Sequence, residues 1–133
     1  MAIQVPVSWG ELIDKIAILE IKSERIADAA KLANVRTELT ALADVRDANL
    51  PSESKVLADL ATLTADIKKV NEALWEIEDD IRDCERDKDF GTRFVELARS
   101  VYKTNDKRAA LKRDINMLLG SALVEEKSYQ SYE

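Results

Sequence analysis

Residues 56–118 read VLADLATLTADIKKVNEALWEIEDDIRDCERDKDFGTRFVELARSVYKTNDKRAALKRDINML. Val56, Leu60, Leu63, Ile67, Val70, Leu74, Ile77, Ile81 and Cys84 step by four and three without a slip, the spacing that keeps one face of an α-helix apolar. Around a polar break at Asp87 to Gly91 the step resumes through Phe90, Phe94, Leu97, Val101, Thr104, Arg108, Leu111, Ile115 and Leu118. Two long helices joined by so short a loop are antiparallel neighbours. The stretch therefore predicts an all-α fold, an antiparallel bundle of three to four long helices with coiled-coil-like heptad packing.

Upstream, Asn49, Leu50, Pro51 and Ser52 end one helix and open the next, because the residue before a proline is pushed out of the helical region. The third helix then covers roughly 53–87, about 50 Å at about 1.5 Å per residue. Ser8 and Glu11 have capping-box spacing and start the first helix, the hydroxyl meeting a free N–H while the carboxylate reaches back. Its stripe of Leu12, Ile16, Leu19 and Ile26 is widened by Ile13, Ala17, Ile18 and Ile21. One neighbour cannot cover so broad a face, which calls for a sandwiched helix or a contact with another copy. Near Asp28 the register shifts to Leu32, Val35, Leu39 and Leu42. With no glycine or proline to mark a turn there, a kinked continuation to about Ala48 is preferred by a small margin. A hairpin capped by Asp28 is the alternative. Residues 1–8 form an extended lead-in lying along the bundle. Gly120 stops the fourth helix, Ser121 caps a last short turn through Leu123 and Val124, and 121–133 is a polar, aromatic tail. The chain reads as one domain, 1–133.

Composition narrows the chemistry. The chain of 133 residues is 46% hydrophobic and 35% charged, with three glycines and two prolines, a composition of amphipathic helices. Its net charge of −6 repels a phosphate backbone, so nucleic-acid binding is not expected. One cysteine and no histidine exclude a disulfide, a thiolate or imidazole metal site and histidine acid–base chemistry. Any metal would be a hard cation on carboxylates, and no cofactor is implied. No apolar run approaches the ~20 residues of a membrane span, and a soluble cytoplasmic protein is expected.

Two charged regions are candidate sites. At the end of the third helix Glu76, Glu78, Asp79, Asp80, Asp83, Glu85, Asp87 and Asp89 outnumber Arg82, Arg86 and Lys88 by five, and Glu76 with Asp79 or Asp80 has the spacing to share a face with Mg²⁺ or Mn²⁺. In the fourth, Arg99, Lys103, Lys107, Arg108, Lys112 and Arg113 outnumber Asp106 by five, a place for an anion or an acidic partner. Folding one helix on the other pairs residue numbers summing to about 177, so Glu78 meets Arg99 and the two flanks answer each other, an ordinary helix-pairing device. Arg108 fits that device less well. It stands in an apolar stripe position facing Lys69 and Ala73, and a buried guanidinium needs an acid; Glu72, Glu76, Asp14 or Glu24 can supply it. A polar layer that fixes register is the first reading of Trp75, Tyr102, Asn105 and Arg108, and a small-anion site is the second. Trp9 and Trp75 are core or interface anchors by the same logic, and Cys84 is a buried apolar residue.

The segments VPVSWGELIDKIAILEIKSERI (5–26), KLANVR (31–36), VNEALWEIEDDIR (70–82), YKTNDKRAALKRDIN (102–116) and LGSALVEEKSY (119–129) resemble a family of short bacterial proteins catalogued only as a domain of unknown function. The resemblance spans nearly the whole chain and implies no activity. The first helix is also similar to the opening helix of all-helical chorismate mutases, in which arginines and a lysine grip a dicarboxylate. Their later Pro-x-Arg-Glu segment and catalytic glutamine have no match here. The Glu76-x-x-Asp79 step is similar to half of the carboxylate motif of all-α nucleotide pyrophosphohydrolases, whose companion helix is missing as such. The function expected is binding or assembly through self-association or a protein partner. The alternative is a Mg²⁺-dependent enzyme acting on a phosphorylated metabolite or nucleotide.

Overall fold

The computed structural model describes residues 2–133; Met1, the first residue of the expected lead-in, lies outside them. The chain is all-α, with helices α1 (Trp9–Arg25), α2 (Ala29–Asn49), α3 (Ser54–Arg86) and α4 (Thr92–Leu118), and no strand among the described residues. Residues 2–7 are irregular and exposed rather than packed along the bundle. The Ser8 side chain accepts the Glu11 N–H at 3.1 Å, the expected start of α1.

Side-chain pairings fix the directions. Trp9, Gly10, Glu11 and Asp14 meet Ser121, Asn116, Lys112 and Arg108 in that order, so α1 and α4 are antiparallel. α3 and α4 are antiparallel about the Asp87–Gly91 turn, and α1 is parallel to α3. Ile13 and Ala17 of α1 pack with Leu60 and Ile67 of α3 and Ile115 of α4, with Trp9, Leu63, Leu111 and Leu118 around them. This three-helix core buries the broad apolar face of α1 from two sides, and α2 closes the third. Cys84 is buried, as its stripe position implies.

The preferred kinked continuation at Asp28 is overturned. Ile26 to Asp28 are non-helical, the Asp28 carboxylate accepts the Lys31 N–H at 2.9 Å, and α2 turns back along α1. Chain length compels this. α2 has 21 residues and runs about 30 Å, whereas the four residues to Ser54 reach at most about 14 Å. Because α1 runs parallel to α3 and ends at the level of Glu76, only a returning α2 brings Asn49 to the start of α3. The backbone of α2 approaches that of α1 and, among the described residues, of no other helix. It buries Val35, with Leu32, Leu39 and Leu42 half-covered.

The C-terminal end of α4 obeys its stop signal, with one correction downstream. Gly120 sits at φ 60°, the Ser121 N–H reaches back to the Asn116 carbonyl at 2.8 Å, and the helix stops as expected. The expected short turn through Leu123 and Val124 does not form. Residues 121–133 instead run irregularly back along α4 as a strap. There Glu125 and Glu126 meet Lys112 and Arg113, Lys127 meets Asp106 and the Tyr132 ring lies on Tyr102. These four acid–base and ring contacts along α4 take the place of the expected turn.

α1 ends about two-thirds of the way along α3. Arg25, its last residue, pairs with Glu76 and stacks over the Trp75 ring at 5.7 Å. Beyond that level α3 and the opening turns of α4 continue as a two-helix arm, with no third helix on their seam.

Candidate functional site

One face of α4 carries Arg108, Lys112 and Asn116 at helical spacing, and the start of α1 answers each. Asn116 Oδ1 accepts the Gly10 N–H at 2.6 Å in a buried contact. That close approach is why Gly10 has no side chain: a Cβ there would collide with the Lys112 carbonyl oxygen. Lys112 Nζ donates to Glu11 at 2.8 Å and to Glu125 of the strap at 2.5 Å. Burial works against the Lys112 ammonium, but the hydrogen bonds to Glu11 and Glu125 outweigh it and raise its pKa above the ordinary lysine value.

The third rung is the centre of the molecule. Asp14 is 0% exposed. Arg108 donates to it through Nε at 3.0 Å and through Nη2 at 2.5 Å, and Asn71 Nδ2 of α3 donates at 2.8 Å. The hydrogen bond to Asp14, against an opposing desolvation, holds the Arg108 guanidinium above its ordinary value. The acid that Arg108 requires is therefore Asp14, one of the four candidates in the sequence. Glu24 and Glu20 meet Lys68 instead, raising that ammonium's pKa.

Next to this rung, where α1 gives way to the arm, lies a cleft of about 390 Å³. Ile18 and Ile21 of α1, Asn71, Leu74, Trp75, Glu78, Asp79 and Arg82 of α3, and Asn105 and Arg108 of α4 line it. Of the residues singled out in the sequence, Trp75, Glu78, Asp79, Arg82, Asn105 and Arg108 are brought together. Glu76, Arg99 and Tyr102 are not. Glu76 turns to Arg25, Arg99 pairs with Glu96 of its own helix at 3.0 Å, and Tyr102 lies under Tyr132 of the strap. The expected answer of Glu78 to Arg99 across the pair is absent because nearer partners exist along each helix, with Arg82 lying 3.5 Å from Glu78. Arg93 to Asp80, at 3.9 Å, is the cross-helix contact that does form.

Asn71 and Asn116 were missed in the sequence, and Lys112 was named there only among the basic residues of the fourth helix. Lys112 and Asn116 stand four and eight residues after Arg108 on the same face, a signal open to reading. Asn71 lies one residue off the apolar stripe and gives no such signal. Among the described residues no group of three or more acidic or cysteine side chains is placed to hold a metal ion. No helix is long and apolar enough to cross a membrane, again among the described residues.

Neither the curated proteins nor the solved structures searched contain a match to this chain. A family model does match it over residues 3–132. With that coverage the chain belongs to the family of unknown function DUF6165.

Proposed function

We propose that the protein is a self-assembling helical module whose arm pairs with the arm of a second copy. The observation that carries this is the arm's unfinished seam. Within the three-helix region, stripe residues Leu60, Ile67 and Ile115 are buried. Along the arm, Ile77, Ile81, Phe94, Leu97 and Val101 of the same stripes are only half-covered, and Cys84 alone is fully buried. Phe90 and Val95 stand 52% and 49% exposed beside them. A pair of helices cannot bury an apolar seam from both sides, and exposed apolar surface of this kind marks an interaction site.

Charge favours a second copy as the occupant. The end of α3 carries five more acids than bases, while the opening of α4 is basic through Arg93, Arg99 and Lys103 against Glu96. Two arms set antiparallel about a two-fold axis lay the acidic α3 of each on the basic α4 of the other. The interface is then isologous and closes as a dimer.

Sedimentation equilibrium checks this directly. The expected mass is twice the 15.0 kDa of the chain, falling to the single-chain value in a Phe90→Glu, Val95→Glu double variant with unchanged circular dichroism. A wild-type chain that stays single at all concentrations overturns the proposal, as does a dimer that the double variant leaves intact.

A further inference from the structure

The cleft at the base of the arm has a charge pattern that none of its structural contacts uses up. Arg108 is tied to the buried Asp14 through Nε and Nη2, which fixes the plane of its guanidinium. Its Nη1 makes no hydrogen bond among the described residues, and the side chain, 29% exposed, lines the cleft. An arginine held on one edge by a buried acid is a preorganised receptor for a carboxylate on its other edge. Asn105 lines the same wall and makes no side-chain hydrogen bond among the described residues.

On the α3 side of the cleft the balance reverses. Glu78 has Arg82 at 3.5 Å, but Asp79 forms no ion pair among the described residues, so one carboxylate is left over. Ile18, Ile21, Leu74 and the indole of Trp75, over which Arg25 stacks, supply the apolar lining. The volume is at the small end for ligand sites, enough for one small metabolite. A phosphate ester fits poorly. Arg108 is already neutralised by Asp14 and Arg82 by Glu78, so a dianion would meet Asp79 with no cation left to offset it.

We infer that this cleft binds a small amphipathic zwitterion, an α-amino acid with a bulky apolar side chain. Its carboxylate lies on Arg108 Nη1 and the Asn105 amide, its ammonium on Asp79, and its side chain against Trp75 and Leu74. This goes beyond self-assembly: Arg108, Asn105 and Asp79 lie outside the arm's apolar seam, with Asp79 in its acidic flank.

The test is calorimetric titration of the full chain with L-phenylalanine, with 3-phenylpropanoate, which lacks the ammonium, and with phenethylamine, which lacks the carboxylate. Saturable binding of phenylalanine is expected, with each truncated probe about tenfold weaker, the loss of one charge-assisted hydrogen bond. Asp79→Asn should weaken phenylalanine about tenfold and leave 3-phenylpropanoate unchanged, while Asn105→Ala should weaken 3-phenylpropanoate and leave phenethylamine unchanged. Both side chains are off the core, so the variants retain the fold. No heat with any probe overturns the inference. So does phenethylamine binding as tightly as phenylalanine, or an Asp79→Asn variant that binds phenylalanine like the wild type.

Discussion

At the scale of single residues the molecule turns on Asp14, a carboxylate with no solvent exposure whose charge is met by Arg108 and by one Asn71 N–H. Removing the guanidinium in Arg108→Ala leaves that charge buried with a single neutral donor. Because Arg108 itself is part-exposed, a loss of about 3 kcal/mol is expected, read as a lower urea midpoint at unchanged slope. Arg108→Lys should recover only part of it, since an ammonium cannot reproduce the two-pronged contact. A midpoint that does not move would make the pair a bystander. Gly10→Ala tests the neighbouring rung by driving a methyl group into the Lys112 carbonyl. Parting α1 from α4 there should cost about 2 kcal/mol. The sequence already singled out Arg108, because a charged residue in an apolar stripe position demands an acid. It did not choose between Asp14 and three other acids, because that choice depends on how α1 is rotated about its axis. A broad apolar face leaves the rotation open.

At the scale of elements the end signals were legible and the path between α1 and α2 was not. The capping of α1 by Ser8 and the stop of α4 at Gly120 follow from local chemistry. At Asp28 no glycine or proline marks the reversal, and the hairpin is imposed by the short reach from Asn49 to Ser54, a property of the assembled bundle. The Asp28 carboxylate that caps α2 should be worth about 1 kcal/mol, measured as the loss of stability in Asp28→Ala. The α3–α4 turn offers the opposite sign. Lys88 sits at φ 55°, with the Asp89 N–H returning to the Cys84 carbonyl at 2.9 Å, the position that other helices give to glycine. Lys88→Gly should therefore raise stability by about 0.5–1 kcal/mol in the same urea titration, and a lower midpoint would contradict it. The strap has its own acid dependence. Hydrogen bonds from Lys127 and then Tyr132 hold the Asp106 carboxyl below its ordinary value. A lowered carboxylate pKa contributes above the ordinary value and is lost as pH falls through the folded one. The NMR signals of the Tyr102 and Tyr132 rings should hold steady from neutral pH down to about 4 and move only below it.

At the scale of the whole molecule, surface is the quantity out of proportion. The chain exposes 9047 Å², whereas a compact monomer of 15.0 kDa exposes about 7,000 Å². The excess belongs to a helix laid on one neighbour, an irregular strap and an arm two helices thick. Heptad spacing announced the long helices of that arm. It could not announce that α1 stops about two-thirds of the way along α3, since the length of a neighbour is not written in the stripe it covers. Assembly arm to arm is the central claim, and hydrogen exchange measured over a dilution series tests it where it acts. Protection of amides in residues 77–101 should rise with protein concentration, while that of residues 10–21 in the three-helix core stays constant. Protection in the arm that is the same at every concentration would contradict it.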